Sequence, residues 1–440
     1  MGEFHSIASN EDGSVVVVGG DIYGDAPAWP IAYSNDGMKT FRLATIQDIG
    51  EVLPEAKGKI RNVSGDGDGK YKALCYHKKS KTFIAARQQV RYTNDDGKLV
   101  NIMCVWTSKT GEEWKCHVLD TFVQPDIAYI YSITSTWFYM HTTSKIAYDD
   151  STGVAIVPSN NSFYWTTDCV TWNKHVISTS EEKLDPSGDN TKIYVTKLGS
   201  VDVLEPGRFV AWTEFYETKY RLGTIKEQIG CIDMAYDPSR EGDPFVCTSD
   251  DLVHVPDTVT ANVGSYFAPQ SVVVGGMSYC SFFGNGQAST LGIMKYDPTA
   301  KDITIFAYPE SVGTIETRGI VTSADVAYYL TRAGSTYKIM KLEGDSLVPL
   351  TITGYSGKIE GGCVVGDKVY LCGRSGAEGL LFLFDISSST MTKLEYNTSK
   401  EIATLLKKSQ FEKIEELDTS TDSLTAVIEK LNSVITSLKS

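Results

Sequence analysis

From residue 1 to about residue 397 the apolar positions come in short runs rich in Val, Ile, Tyr and Phe, each ended by Gly, Asp, Asn or Pro. SVVVVGGD, TGVAIVPSN, QSVVVGGMSYCSFFG and DKVYLCGRSG are examples. Such runs read as strands bounded by turns, because branched and aromatic side chains suit a pleated surface while the terminating residues suit tight turns. No convincing amphipathic helix is visible in this region. A unit repeats late in the chain: LGIMKYDPTAKDITIFAYP around Tyr296, YKIMKLEGDSLVPLTIT around Leu342 and LLFLFDISSSTMTKLEY around Phe384, spaced 46 and 42 residues apart. Each is an apolar strand, a polar turn and a second strand, with another strand pair upstream. Four strands in about 40–50 residues is the design of a propeller blade. Three units precede residue 180, one irregular unit spans about 190 to 255, and three follow. The pattern predicts an all-β propeller of about seven four-stranded blades over residues 1–397.

The pattern changes at residue 398. Residues 398–440 contain no Gly, Pro or Trp. With Ile414, Thr421, Ile428 and Ile435 at position a, position d is Leu417, Leu424, Leu431 and Leu438. A 4-3 spacing held over four heptads predicts a coiled coil. Ile at a with Leu at d favours a dimer, but Val427 and Val434 at g widen the apolar stripe toward three strands, so a homo-oligomer, favouring a trimer, is expected. The alternative is a helical hairpin folded back on the propeller, with Asp422 capping a second helix.

A net charge of -14 argues against nucleic-acid binding and, more weakly, against docking on an anionic membrane. The nine cysteines form no C-x-x-C pair, so neither a zinc ribbon nor a redox motif is expected. Their odd number, with no visible secretory signal, suggests reduced thiols in a protein made in the cytoplasm. The longest aliphatic runs, such as Val15 to Val18, are too short to span a membrane.

YSNDGMKTF (33 to 41), WTSKTGEEW (106 to 114) and WTTDCVTW (165 to 172) share a design. Each places a Ser or Thr before the turn and an aromatic after it. Ser34-x-Asp36 with Thr40-Phe41, Ser108 with Trp114, and Thr166-x-Asp168 with Thr171-Trp172 resemble the Asp-box of sialidase-like β-propellers. AYDDSTGVAIVPSNNSFYWTTDCVTWNKHV in particular resembles a blade of the sialidase-like propellers common in bacteriophage tail and other virion proteins. Lys109 stands where the acid is expected, Phe41 in place of Trp and Cys169 in place of Gly. The box side chains are expected to be structural, with Ser and Asp satisfying turn amides and the aromatic packing between blades.

Sialidases need three clamping arginines, a Tyr nucleophile with a Glu partner, and an acid. The early Arg-Ile-Pro signature is absent and no arrangement singles out such a set, so no catalytic residue is assigned and a non-enzyme is expected. No cofactor is expected either. Asp66 and Asp68 in SGDGDGKY lack the remaining ligands of a cation site. The six histidines show no metal spacing, and no cysteine has an evident histidine partner. The better candidates for binding are loops that set aromatic faces beside carboxylates, as sugar sites do. These are Asp21, Tyr23, Asp25 and Trp29 in DIYGDAPAWP, Tyr92 in RYTNDDGK and Tyr216 in EFYETKY. The resemblance implies a virion protein of the tail-fibre or receptor-binding kind, with other virion proteins or a host-surface glycan or protein as partners. Because the strand pattern begins almost at Met1, the helical tail is expected to serve attachment as well as oligomerisation. A glycan-active hydrolase and an intracellular propeller scaffold are the alternatives.

Overall fold

The computed structural model describes residues 4–398 apart from 21–29, 62–70, 88–89, 124–144, 160–161, 178–182, 185–189, 220–223, 248–250, 255–269, 282–291, 308–315, 324–325, 334–335, 354–357, 366–367 and 376–377. Asp66, Asp68 and the heptad positions Ile414 to Leu438 lie outside the described residues.

Seven sheets follow one another along the chain. The first strand of each packs beside the first strand of the next: Phe4–Ser9, Tyr71–His77, Ala147–Asp149, Asn190–Glu205, Gln270–Val274, Glu316–Ser323 and Lys358–Val365, which returns to Phe4–Ser9. The sheets are the blades of a closed seven-bladed β-propeller. Blades 3, 5, 6 and 7 have the expected four strands. Blade 2 exceeds the expectation by Thr45–Ile46, Ile60–Arg61 and Val90–Thr93, and blade 4 by Lys183–Leu184 and Leu252–His254. Between blades 1 and 2 the chain also makes one helical turn, Ile49–Val52, in which Asp48 Oδ1 accepts from Gly50 N–H. A single turn is too short to show a helical period, which is why the apolar pattern did not announce it.

The second strand of each blade is covered on both faces by neighbouring blades, so it is a continuous apolar run rather than an alternation. Val16–Val18, Phe83–Ala86, Val154–Val157 and Phe209–Trp212 are buried throughout. The outer strand meets solvent and begins by alternating, as in Glu113–Val123. Burial of each large side chain contributes about 1.5–3 kcal/mol, and most of that burial lies in the seams between blades.

The four antiparallel strands of each blade come from one stretch of chain, and Asn397–Thr398 adds a fifth strand to the outer edge of blade 1. The ring closes by a clasp that also occurs inside it. After the outer strand of blade 1, Thr45–Ile46 pairs in parallel with the outer strand of blade 2 at Glu113 and Trp114. Gln47 then accepts from Trp106 Nε1 (3.1 Å) through its carbonyl and from Cys116 N–H (3.0 Å) through Oε1. After blade 6, Thr353 forms a parallel bridge to Thr390 on the outer strand of blade 7. After blade 7, Asn397–Thr398 pairs in parallel with Thr40 and Phe41 on the outer strand of blade 1. Tyr396 binds both sides of this closing seam. Its hydroxyl donates to Gly379 O in blade 7, and its ring meets Phe41 edge-on at 5.5 Å and Phe4 at 6.1 Å in blade 1.

Strands within a blade are antiparallel, so connections alternate between the two ends. First-to-second and third-to-fourth connections leave from one end, the turn face, and none is longer than 237–244. Second-to-third and blade-to-blade connections leave from the other end, the loop face, and include 21–30, 44–70, 88–98, 124–146, 247–269 and 282–291. The turn face is pinned across seams. His77 Nδ1 accepts from Ser80 N–H (3.1 Å), which fixes the neutral tautomer whose Nε2–H donates to Gly153 O in blade 3 (2.8 Å). Asp149 accepts from Gly207 N–H in blade 4 (2.8 Å) and from Ser151 and Thr152 in its own turn.

Two outcomes follow from these contacts. Tyr396→Ala removes both halves of the closing seam and should cost about 3 kcal/mol in chemical denaturation, far more than substitution of an exposed tyrosine. Burial holds the imidazoles of His77 and His117 below their ordinary value. The unfolded chain, with histidines near about 6.5, takes up protons that the folded chain refuses. Their stabilising contribution is complete above that value and is lost as pH falls toward the depressed folded values. The melting temperature should therefore drop between about pH 7 and pH 5, with a shallower drop in His77→Gln.

Candidate functional site

The loop-face ends of the inner strands have an unusual construction. In blades 1, 2, 6 and 7 the ladder between the first and second strands skips one residue near the loop-face end, and the longer blade 4 ladder skips at three places, one of them at the corresponding point between Leu198 and Ser200. The skips lie between Phe4 and Ser6, Tyr71 and Ala73, Leu198 and Ser200, Thr317 and Gly319, and Ile359 and Gly361. The residues left out are His5, Lys72, Gly199, Arg318 and Glu360, four of them ionisable. Bulges of this kind bend the strand, re-aim a side chain and recur at rims and binding sites. The residue after each bulge is small: Ser6, Ala73, Ser200, Gly319 or Gly361. There the inner strands converge: a Cβ on Gly361 would lie 3.0 Å from His5 O, and Ser6 Oγ donates to Tyr71 O (2.6 Å). Glu360 lies 3.4 Å from Arg374 Nε, whose guanidinium burial holds below its usual value. At the seams of blade 1 with blades 7 and 2, small residues thus let the inner strands approach closely beside bulged, ionisable positions.

A polar cluster at this depth joins blades 3, 4 and 5. Lys145 Nζ is paired with Asp202, which is 2% exposed, and also donates to Ser271 O (2.9 Å). Ser200 and Ser271 share a hydroxyl hydrogen bond, and Trp212 Nε1 donates to Ser278 Oγ (2.9 Å). With the serines almost wholly buried, the cluster holds three inner strands together and offers no accessible nucleophile.

The loop face also carries two extended strand assemblies. In blade 2, Val90–Thr93 pairs with the start of Leu99–Ser108, whose other edge meets the end of Glu113–Val123. In blade 4 the ladders run from Glu205 to Thr191 and from Arg208 to Lys219, so the longest strand reaches about 50 Å at ~3.3 Å per residue. Tyr216 lies in this arm, opposite Tyr194 and Glu227. Asp21, Tyr23, Asp25 and Trp29 lie outside the described residues, between two blade 1 strands that open onto the same face. Tyr92 requires a correction. It is buried in the core shared by blades 1 and 2, so its ring serves packing and is closed to a ligand.

The box-like turns lie on the opposite face. Asp36 Oδ1 accepts from Ser34 Oγ (2.8 Å), Lys39 N–H (3.1 Å) and Thr40 N–H (3.0 Å). Asp168 Oδ1 accepts in the same way from Thr166 Oγ1, Val170 N–H and Thr171 N–H. Partial burial alone would raise both carboxyls, but these bonds outweigh it and hold them below the usual range. In the blade 2 turn Ser108 Oγ accepts from Gly111 N–H, and Trp114 Nε1 donates to Gly111 O. Met38, Gly111 and Cys169 each have a positive φ, so they occupy the same left-handed position. Phe41 packs on the blade 7 seam, Trp114 on the blade 1 seam and Trp172, half-buried, on the blade 2 seam. All these side chains are committed to the scaffold.

Sequence reasoning missed two groups. The bulged residues occupy equivalent places only once strand pairing is known, and their spacing in sequence is irregular. The expectation that no cysteine has a histidine partner is corrected at one site: Cys247 Sγ lies 3.0 Å from His175 Nε2, and His175 Nδ1 lies 2.5 Å from Asp243 Oδ2. The contact crosses a seam between two blades, which no local spacing reveals. Among the described residues no group of three or more His, Cys, Asp or Glu could hold a metal ion, and no helix is long and apolar enough to cross a membrane.

No protein-family model and no curated protein matches the chain. Among solved structures it is similar to the β-propeller domain of the Trilobed protease from Pyrococcus furiosus, with 9% identity, a TM-score of 0.42, and coverage of 90% of this chain and 98% of that one. It is also similar to the Myceliophteria thermophila Cps50 (Swd1) β-propeller domain, with 10% identity, a TM-score of 0.38, and coverage of 87% and 97%. The major Malassezia sympodialis allergen Mala s 1 matches at 15% identity and a TM-score of 0.34, over 57% of this chain and 78% of that one. Likenesses this distant carry no argument about activity or ligand.

Lys145→Met leaves the Asp202 carboxylate buried without its cation. It should cost about 3 kcal/mol, measured by denaturant titration, and adding Asp202→Asn should recover part of that loss.

Proposed function

We propose that this chain is a bacteriophage virion protein of the tail-fibre or receptor-binding kind, whose propeller offers its loop face to a host-surface glycan or protein. The observation that carries the reading is the one-sided distribution of long connections, opposed by a turn face of short, mutually bonded turns. Loops on a rigid scaffold are where binding residues concentrate. Asp21, Tyr23, Asp25 and Trp29 supply aromatic faces beside carboxylates in one of those connections, and Tyr216 belongs to the blade 4 arm. The heptads of residues 398–440 would bring copies together, so several weak sites could act as one strong one. The resemblance to the sialidase-like propellers of virion proteins supports the same reading.

The test is a glycan array and host-cell binding assay with the full chain, paired with mass spectrometry of purified virions. The protein should be found in virions and should bind at least one surface ligand. Trp29→Ala and Tyr216→Ala should weaken that binding about tenfold, equivalent to about 1.4 kcal/mol, while turn-face Lys301→Ala leaves it unchanged. Absence from virions, or binding indifferent to the loop-face substitutions, would contradict the proposal.

A further inference from the structure

The outer seam between blades 3 and 4 contains three side chains in a chemically ordered row. His175 comes from the outer strand of blade 3, Asn173–Val176. Asp243 comes from the third-to-fourth turn of blade 4, and Cys247 directly follows the strand Phe245–Val246. Asp243 as a carboxylate only accepts, so the hydrogen between it and His175 sits on Nδ1. Nε2 then presents its lone pair to Sγ, and the Cys247 thiol donates to it. Phe163 stacks on the imidazole at 4.9 Å with 28° between planes, and Phe245 lies at 6.0 Å, so the ring is held in this orientation. Nucleophile, base and orienting acid are thus in the relation that activates a weak nucleophile.

The other thiols for which hydrogen bonds are described have different company. The free thiols of Cys104 and Cys116 are hydrogen-bonded to each other, Cys169 accepts from Ser80 Oγ, and Cys372 meets backbone groups. None of these arrangements supplies a base. Burial, with the carboxylates of Asp251 and Asp243, pushes the Cys247 thiol up to about 12. Its resting form is therefore the thiol, and the proton must leave during attack. Cys247 is only 5% exposed, so the seam suits a reagent of a few atoms and excludes a peptide or sugar.

We propose that Cys247 is a thiol that reacts with small hydroperoxides, with His175 as its general base and Asp243 as the group that orients the base. The Cys247 proton passes to His175 Nε2 as sulfur attacks the nearer peroxide oxygen. The S–O bond forms and the O–O bond breaks. The departing oxygen takes the proton back from the imidazolium and leaves as water, or as an alcohol from an organic peroxide. Sulfur is oxidised to the sulfenic acid and the peroxide is reduced, which is a reversible step on the cysteine oxidation ladder.

The experiment exposes the full native chain to limiting hydrogen peroxide, traps sulfenic acid with a dimedone reagent and quantifies all nine cysteine-containing sites by mass spectrometry. Cys247 should be trapped at least tenfold faster than any other cysteine. Asp243→Asn, at a position 45% exposed in its side chain, should lower that rate at least fivefold without moving the melting temperature. His175→Gln should lower it further. Trapping at Cys247 no faster than at the other cysteines, or equally fast in Asp243→Asn, would overturn the assignment.

Discussion

The strand that leaves one blade and lies in parallel along the outer edge of the next is the contact on which the ring depends. Thr45–Ile46 does this between blades 1 and 2, Thr353 between blades 6 and 7, and Asn397–Thr398 between blades 7 and 1. A propeller must join its last blade to its first, and a strand exchange is one way to do so. Here the closing seam uses the same kind of contact as the internal ones, with Tyr396 added to bind both blades. The seam's strength rests on Phe4, Phe41 and Tyr396, whose packing replaces the covalent continuity that every other seam has.

The two faces follow from that ring. On the turn face, Asp carboxylates satisfy turn amides and neighbouring turns bond to each other, so little room remains for insertion. On the loop face, chain can be added without disturbing a seam, and that is where the long connections occur. The bulges mark the border between these regimes. Small residues let inner strands approach closely, and the residue displaced just beyond them is ionisable in four of the five bulged blades.

Much of this was legible in the sequence. Short branched runs ended by Gly, Asp and Asn gave the strands, and the spacing of Tyr296, Leu342 and Phe384 gave the blade length, because a blade is local in sequence. Ser34, Asp36, Thr166 and Asp168 could be read as turn residues because a turn is local too. Contacts between blades were beyond reach. Tyr92 looked like a loop aromatic because TNDDG follows it, yet the residues before that turn form an extra strand that carries its ring into the core. The row of Cys247, His175 and Asp243 and the shared register of His5, Lys72, Arg318 and Glu360 arise only when strands far apart in sequence are set side by side.

The closing clasp is tested most directly by native-state hydrogen exchange on the full chain. Amides of 394–398 and 40–43 should be protected to within about tenfold of those at 45–47 and 113–116, where the same clasp joins blades 1 and 2. Exchange at 394–398 and 40–43 as fast as in an unstructured peptide, with the internal clasp still protected, would contradict a ring closed in this way.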